Sequence, residues 1–207
     1  MRTLSKETQS QITPAQALKI LKDGNERFVN NLKANRNLLQ QVNETAEGQF
    51  PFATILSCID SRTSAELIFD QGLGDIFSIR IAGNVLNEDI LGSMEFGTKV
   101  VGTKILVVLG HTKCGAIVGA CNNVELGHLT GLLKKVKPAI EAETETKDNR
   151  TGSNREFVEN VSKLNVKLTI DRVRNESPVI AELEREGKII IVGGVYDVYT
   201  GKVDFFE

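Results

Sequence analysis

Tryptophan is absent from this chain of 207 residues, so no indole N–H and no indole ring is available to line a pocket. Neither sign of charge is in excess. The 25 basic and 27 acidic residues leave a net charge of −2, and no basic stretch stands out, which argues against a nucleic-acid partner. No apolar run approaches the roughly 20 residues of a membrane span, so no membrane partner is expected. The first residues, 1–7, lack the apolar core of a secretory signal. Cysteine is scarce and odd in number, three residues, which fits a reducing compartment such as the cytoplasm better than a disulfide framework. Internal repeats and low-complexity segments are also missing. What remains is 41% hydrophobic residues, enough for one core. The expectation is a single domain over residues 1–207, with an N-terminal helical arm (1–47) and an α/β core (48–207).

The apolar pattern divides that core into strands and helices. Residues 14–33 carry Leu18, Leu21, Phe28, Val29 and Leu32 at helical spacing, with Thr13 as cap and Pro14 in the first turn. A short helix is predicted over 38–46. Residues 52–58, 104–110 and 188–192 are short apolar runs that read as buried strands, and 75–81 reads as a further strand. Helical segments are predicted at 64–69, 89–101, 114–121, 129–144, 156–175 and 177–186, with a polar loop over 147–154. The last residues, to Phe206, read as a hairpin or edge strand. Strands alternating with helices imply one mostly parallel sheet flanked by helices, with a site at the carboxyl ends of the strands.

Three residues at those strand ends carry the chemistry. Cys58 opens Cys58-Ile59-Asp60-Ser61-Arg62, and His111 and Cys114 lie in Gly110-His111-Thr112-Lys113-Cys114-Gly115. A lone cysteine on a strand is more often a small core residue than a ligand. A His-x-x-Cys pair at a turn, however, can place both side chains on one ion, and a Cys-x-Asp-x-Arg run at a second strand end adds to it. Two thiolates and one imidazole suit zinc, and three protein ligands leave the fourth position open, as in catalytic sites. Asp60 has two possible roles beside such an ion. Held by Arg62, it accepts a hydrogen bond from hydroxide on the zinc and orients it. Released, it swings onto the metal and closes the site. The bland alternative is an ordinary surface ion pair. His128 reads as a partly exposed residue near a helix start, and Cys121 as packing. Gly72-Leu73-Gly74 precedes a strand rather than following one, so it is no dinucleotide motif. Lys113, between two ligands, adds positive charge without an evident role.

The two runs resemble the signatures of the β-class carbonic anhydrases, and Ile76-Phe77-Ser78-Ile79-Arg80-Ile81-Ala82-Gly83-Asn84 also looks like theirs. The resemblance extends, more weakly, from the first long helix to Gly193-Gly194. It implies zinc on Cys58, His111 and Cys114, and hydroxide on that zinc attacking CO2 to give bicarbonate and a proton. It assigns Asp60 and Arg62 the orienting role. Gln49, nine before Cys58, matches a glutamine whose amide binds a substrate oxygen in the plant-like branch. Phe77 and Phe96 match aromatic positions of that pocket; the second is commonly tyrosine there, so a hydroxyl is lost here. Both could equally be core. The Gly115 amide, at a helix start, could donate to bicarbonate. A homodimer or homotetramer is implied, its N-terminal helices wrapping a partner. Another branch carries a tryptophan three residues before the first cysteine ligand, in a pocket where bicarbonate flips the aspartate onto zinc. Here that position is Ile55, which implies a site that is not switched. The ligand set alone does not separate CO2 from carbonyl sulfide or carbon disulfide as substrate. A zinc-containing CO2 or bicarbonate sensor with little turnover is a further alternative, disfavoured by the intact Asp60–Arg62 pair. A structural zinc module is disfavoured because it would close the site with four protein ligands.

Overall fold

A computed structural model describes residues 2–206. The first five elements are α1 (Lys6–Gln11), α2 (Pro14–Val29), α3 (Leu38–Glu44), β1 (Ala53–Ser57) and α4 (Ala65–Ile68). β2 (Ile76–Arg80), α5 (Glu88–Glu95), β3 (Ile105–His111), α6 (Gly115–Cys121) and α7 (Gly127–Leu133) follow. The chain then forms α8 (Lys137–Ala142), α9 (Arg155–Glu176), α10 (Pro178–Arg185), β4 (Ile190–Tyr196) and β5 (Val203–Phe206). The strands form one sheet in the order β2-β1-β3-β4-β5. The first four are parallel, and β5 pairs antiparallel with β4. The chain leaves β1 toward one edge and resumes at β3 toward the other, so strand order reverses between β1 and β3. Open α/β sheets bind ligands at such a crevice.

Apolar side chains explain why the sheet is covered on both faces. Ala17 and Leu21 of α2 bury against Ile55, Phe69, Val107 and Leu109. On the other face Leu56, Leu106 and Val108 meet Met94 of α5, Ile170 and Val173 of α9 and Ile180 of α10. α9 lies close because β3 and β4 present glycines to it. A Cβ on Gly110 would sit 2.7 Å from a Val166 methyl, and one on Gly193 2.9 Å from the other. A third cluster, with Ile117, Val136, Phe157 and Val161, surrounds Cys58 and Cys114.

Several expected boundaries shift, each for a local reason. α2 begins as predicted, with Thr13 Oγ1 accepting from the Gln16 amide and Pro14 in the first turn, but ends at Val29. Asn31 takes a left-handed conformation (φ 53°), which asparagine tolerates better than most residues. The apolar stripe of α2 also faces inward: Leu21 is fully buried, and Leu18 and Phe28 pack on the same cluster. That stripe therefore packs on the core of its own chain. The exposed apolar residues of this region are Leu32, Leu38, Leu39 and Val42. The helix expected over 89–101 becomes α5 plus a π-helical turn, Phe96–Val101, closed by Gly102 in a left-handed conformation. The helix expected over 129–144 breaks into α7, a 3₁₀ turn (Lys134–Val136) and α8. Pro138, in the first turn of α8, has no N–H and clashes with the carbonyl four residues back, at Lys134. β4 runs through Gly193 and Gly194 to Tyr196 instead of stopping at Val192, and the final residues supply the edge strand β5. α1 carries no apolar periodicity and was not expected. Gln9 anchors it, donating to the carbonyls of Pro51 and Val101.

Candidate metal centre

β1 and β3 deliver the site. Ser57 pairs in register with Leu109, so Cys58 and His111 leave neighbouring strands at the same end of the sheet. Cys114 follows as the N-cap residue of α6, after Lys113 turns the chain in a left-handed conformation (φ 54°). The ligand atoms of Cys58, His111 and Cys114 lie within 4.8 Å of one another, and all three residues are buried. Among the described residues this is the one cluster of His, Cys, Asp and Glu side chains that could hold a metal ion.

The donor set fits zinc. The His111 Nδ1–H donates to the Thr112 carbonyl at 2.9 Å, which fixes the tautomer. That leaves Nε2 buried and without a hydrogen-bond partner, a lone pair held for a cation. The two sulfurs are 3.9 Å apart. Cys58 is pulled down, first because the Cys114 thiol donates to it, against the cost of burial, and further by the Gly83 N–H. Cys114 is pushed up, because its proton is shared with that thiolate and its sulfur is buried beside the charge. A dication placed between the two sulfurs would favour both as thiolates.

Beside the thiols, Asp60 and Arg62 form a two-pronged pair. Arg62 Nε donates to Asp60 Oδ1 at 2.9 Å and Nη2 to Oδ2 at 2.8 Å, while the Arg62 backbone N–H donates to Oδ1 at 3.0 Å. The Arg62 side chain chiefly, against partial burial, holds the Asp60 carboxyl well below the usual carboxylate range. Two residues that the sequence reading did not single out hold the turn carrying this pair. Thr63 Oγ1 reaches the carbonyls of Cys58 and Asp60 (3.1 and 2.9 Å). Arg80, at the end of β2, donates to the same two carbonyls (3.0 and 2.6 Å). The available signal was its place in the 76–84 run that resembles the family.

The other sequence-derived candidates divide. Gly115 is the first residue of α6, exposed, and a Cβ built on it would meet nothing within 4 Å. It therefore leaves open space beside Cys114. Phe77 and Phe96 are neighbours, with ring centroids 6.1 Å apart, and they line an open cleft with Ile79 and Gly92. Phe77, however, pairs with Thr54, four residues before Cys58, roughly 13 Å back along the strand. Gln49 is exposed in the loop that enters β1 at its amino end. Within one chain these three are not brought to the cysteines. Lys113 stacks on the Tyr199 ring, its Nζ 4.3 Å from the centroid, and His128 is exposed. Cys121 is buried packing, as expected, its thiol pushed up to about 11 by burial.

A reversed strand order with a Cys–His–Cys cluster at the reversal defines an α/β protein with a candidate metal site. A sequence model of the carbonic anhydrase family matches residues 53–203. Carbonic anhydrase 2 of Mycobacterium tuberculosis is 36% identical over 197 residues, covering 91% of each chain. The carbonic anhydrase of Mycolicibacterium smegmatis is 34% identical over 198 residues, covering 92% of each. Among solved structures, the β-carbonic anhydrase CafA of Aspergillus fumigatus superposes with a TM-score of 0.70 at 27% identity, over 82% of this chain and 81% of that one. The β-carbonic anhydrase CcaA reaches a TM-score of 0.71 at 21% identity, over 93% of this chain and 86% of its own. This chain belongs to the β-class carbonic anhydrases and is an enzyme of that family. Among the described residues, no helix is long and apolar enough to cross a membrane.

Proposed function

We propose that this enzyme hydrates CO2 reversibly to bicarbonate and a proton, with zinc held by Cys58, His111 and Cys114. The observation that carries the reading is the buried cluster of two sulfurs and one orphaned imidazole nitrogen, with an ionised aspartate two residues from the first ligand. When bound, zinc supplies a Lewis acid that brings the ionisation of water to about pH 7. The protein's own groups do the rest. Asp60, kept charged by Arg62, only accepts hydrogen bonds, so it turns the O–H of the attacking oxygen toward itself and a lone pair toward the carbon. Arg62 holds both Asp60 oxygens, which keeps the carboxylate off the metal. The Gly115 N–H donates to an oxygen of bicarbonate.

Gln49, Phe77 and Phe96 complete the site from a second copy, which makes the enzyme a homodimer or a larger even assembly such as a homotetramer. Phe96, 52% exposed and packed beside Phe77, gives the β2 edge an apolar surface that a second copy would bury. Partner phenylalanines would then wall the pocket for apolar CO2, and the glutamine amide would donate to a substrate oxygen. The buried, reduced thiols suit the cytoplasm. Metal analysis beside a stopped-flow CO2 hydration assay tests the function: one zinc per chain and rapid hydration are expected. A protein purified without zinc that gains no activity on adding it would overturn the proposal.

A further inference from the structure

Gly83 touches the first metal ligand. Its N–H donates to Cys58 Sγ at 3.3 Å, from a turn over residues 81–84 that carries two consecutive left-handed residues, Gly83 (φ 70°) and Asn84 (φ 44°). Intrinsic preference does not hold such a turn. Glycine populates both signs of φ about equally, so the peptide before Gly83 is free to rotate its N–H off the sulfur unless something fixes the next one. Both ends of that next peptide are fixed. The Asn84 N–H donates to the Ile81 carbonyl at 2.9 Å, closing the turn. The Gly83 carbonyl accepts from Asn165 Nδ2, also at 2.9 Å.

Asn165 lies in the middle of α9, 82 residues away, and is only 4% exposed. The buried face of α9 is mostly apolar, with Val158, Val161, Val166, Ile170 and Val173, and its only other polar members are the small hydroxyl residues Ser162 and Thr169. A buried amide there costs free energy unless its hydrogen bonds are specific ones. The backbone group it satisfies belongs to the turn that contacts the ligand sulfur.

We propose that Asn165 is a positioning residue for the metal centre: by holding the Gly83 carbonyl, it keeps the Gly83 N–H on the Cys58 sulfur. A thiolate that accepts an N–H gives less of its charge to the metal, and it is oriented before the metal arrives. Outer-shell partners of this kind are worth roughly 10- to 100-fold in metal affinity. The inference rests on the zinc reading above, and one experiment separates the two.

Zinc affinity is measured by chelator competition for the wild type, Asn165→Leu and Val173→Ala. The last is a cavity control on the same helix, packed in the opposite cluster away from the turn. Each protein is also loaded with cobalt(II) to read the thiolate-to-metal charge-transfer band. Asn165→Leu is expected to bind zinc about 10-fold or more weakly and to shift the band. Val173→Ala should lose thermal stability while keeping wild-type affinity and spectrum. Should Asn165→Leu fail to fold, the smaller Asn165→Ser gives the same two readouts. Wild-type affinity and an unmoved band in the Asn165 variant would overturn the inference and leave the zinc reading intact. A wild type that binds no zinc would overturn both.

Discussion

One hydrogen bond decides what His111 can do. With Nδ1–H committed to the Thr112 carbonyl, the ring has a single lone pair left, on Nε2, buried beside the two sulfurs. Replacing any one of Cys58, His111 or Cys114 with alanine therefore should remove metal and turnover together. Full zinc occupancy in Cys114→Ala, measured by metal analysis, would sink the ligand assignment. Asp60 and Arg62 should behave differently, because neither is needed to hold the ion. Asn at position 60 replaces an acceptor oxygen with an amide that repels Arg62. Asp60→Asn is thus expected to keep zinc and lose roughly 100-fold or more in turnover, as does Arg62→Ala. Near-normal stopped-flow rates in both would reduce the pair to a structural role. All five of these residues were legible in the sequence, because each motif packs its chemistry within a few positions of a strand end. Asn165 was not. It is one of three buried polar residues on its helix face, with Ser162 and Thr169, so its type does not mark it out, and its partner is 82 positions away, a separation that no local pattern encodes.

At the scale of elements, the segment between α2 and α3 is fastened by charge rather than by apolar burial. Asp70, at the end of α4, is 8% exposed and itself in a left-handed conformation. It accepts from Arg27 Nε at 2.5 Å, Arg36 Nη1 at 2.6 Å and the Ala34 N–H at 3.0 Å. Burial pushes the Asp70 carboxyl up, but these three donors outweigh it and hold the group below the ordinary carboxylate value. A depressed carboxylate contributes stability above its unfolded pKa, about 3.9, and that contribution is lost as pH falls through the lower folded value. Asp70→Asn removes it at every pH and leaves Arg36 buried beside a neutral group. The expected cost is about 3 kcal/mol, a fall in Tm of roughly 6 to 12 °C for a chain of this size. Calorimetry at pH 7 and pH 3 checks it, and the gap between variant and wild type should narrow in acid. An unchanged Tm at pH 7 would mean that apolar contacts alone hold the segment. No pattern announced this clasp, since its members are spread over positions 27–70. The inner strands β1, β3 and β4, by contrast, were evident as short apolar runs, because strands buried on both faces need no alternation. Helix breaks were missed where the cause was a backbone clash at Pro138 or the close packing of Gly97 on Thr54, where a Cβ would lie 2.4 Å from Oγ1.

For the whole molecule, the sheet separates two sets of residues that the proposed chemistry needs together. The metal ligands sit at the carboxyl end of β1, while Phe77, Phe96 and Gln49 belong to its amino end. If a second copy reunites them, Phe96→Glu should yield smaller species by light scattering and lose turnover while keeping zinc. In an isolated chain Phe96 is half exposed, and a charge there would matter little. Unchanged assembly and unchanged rate would place the substrate wall elsewhere. Assembly also bears on regulation, because a closed state set by bicarbonate would couple subunits and make activity steeply pH-dependent. Such a state needs a bicarbonate pocket and a free Asp60. Ile55, where the switched branch carries tryptophan, is fully buried between the sheet and α2 and offers neither an N–H donor nor a cavity. Asp60 is held by three donors from Arg62, and its lowered carboxyl stays ionised throughout the working range, so acid does not release it. Activity should therefore fall smoothly on acidification, as a single ionisation near pH ~7 to 8, with only ordinary competition from added bicarbonate. A steep, cooperative loss below neutral pH, deepened by bicarbonate, would show that Asp60 leaves Arg62 for the metal after all.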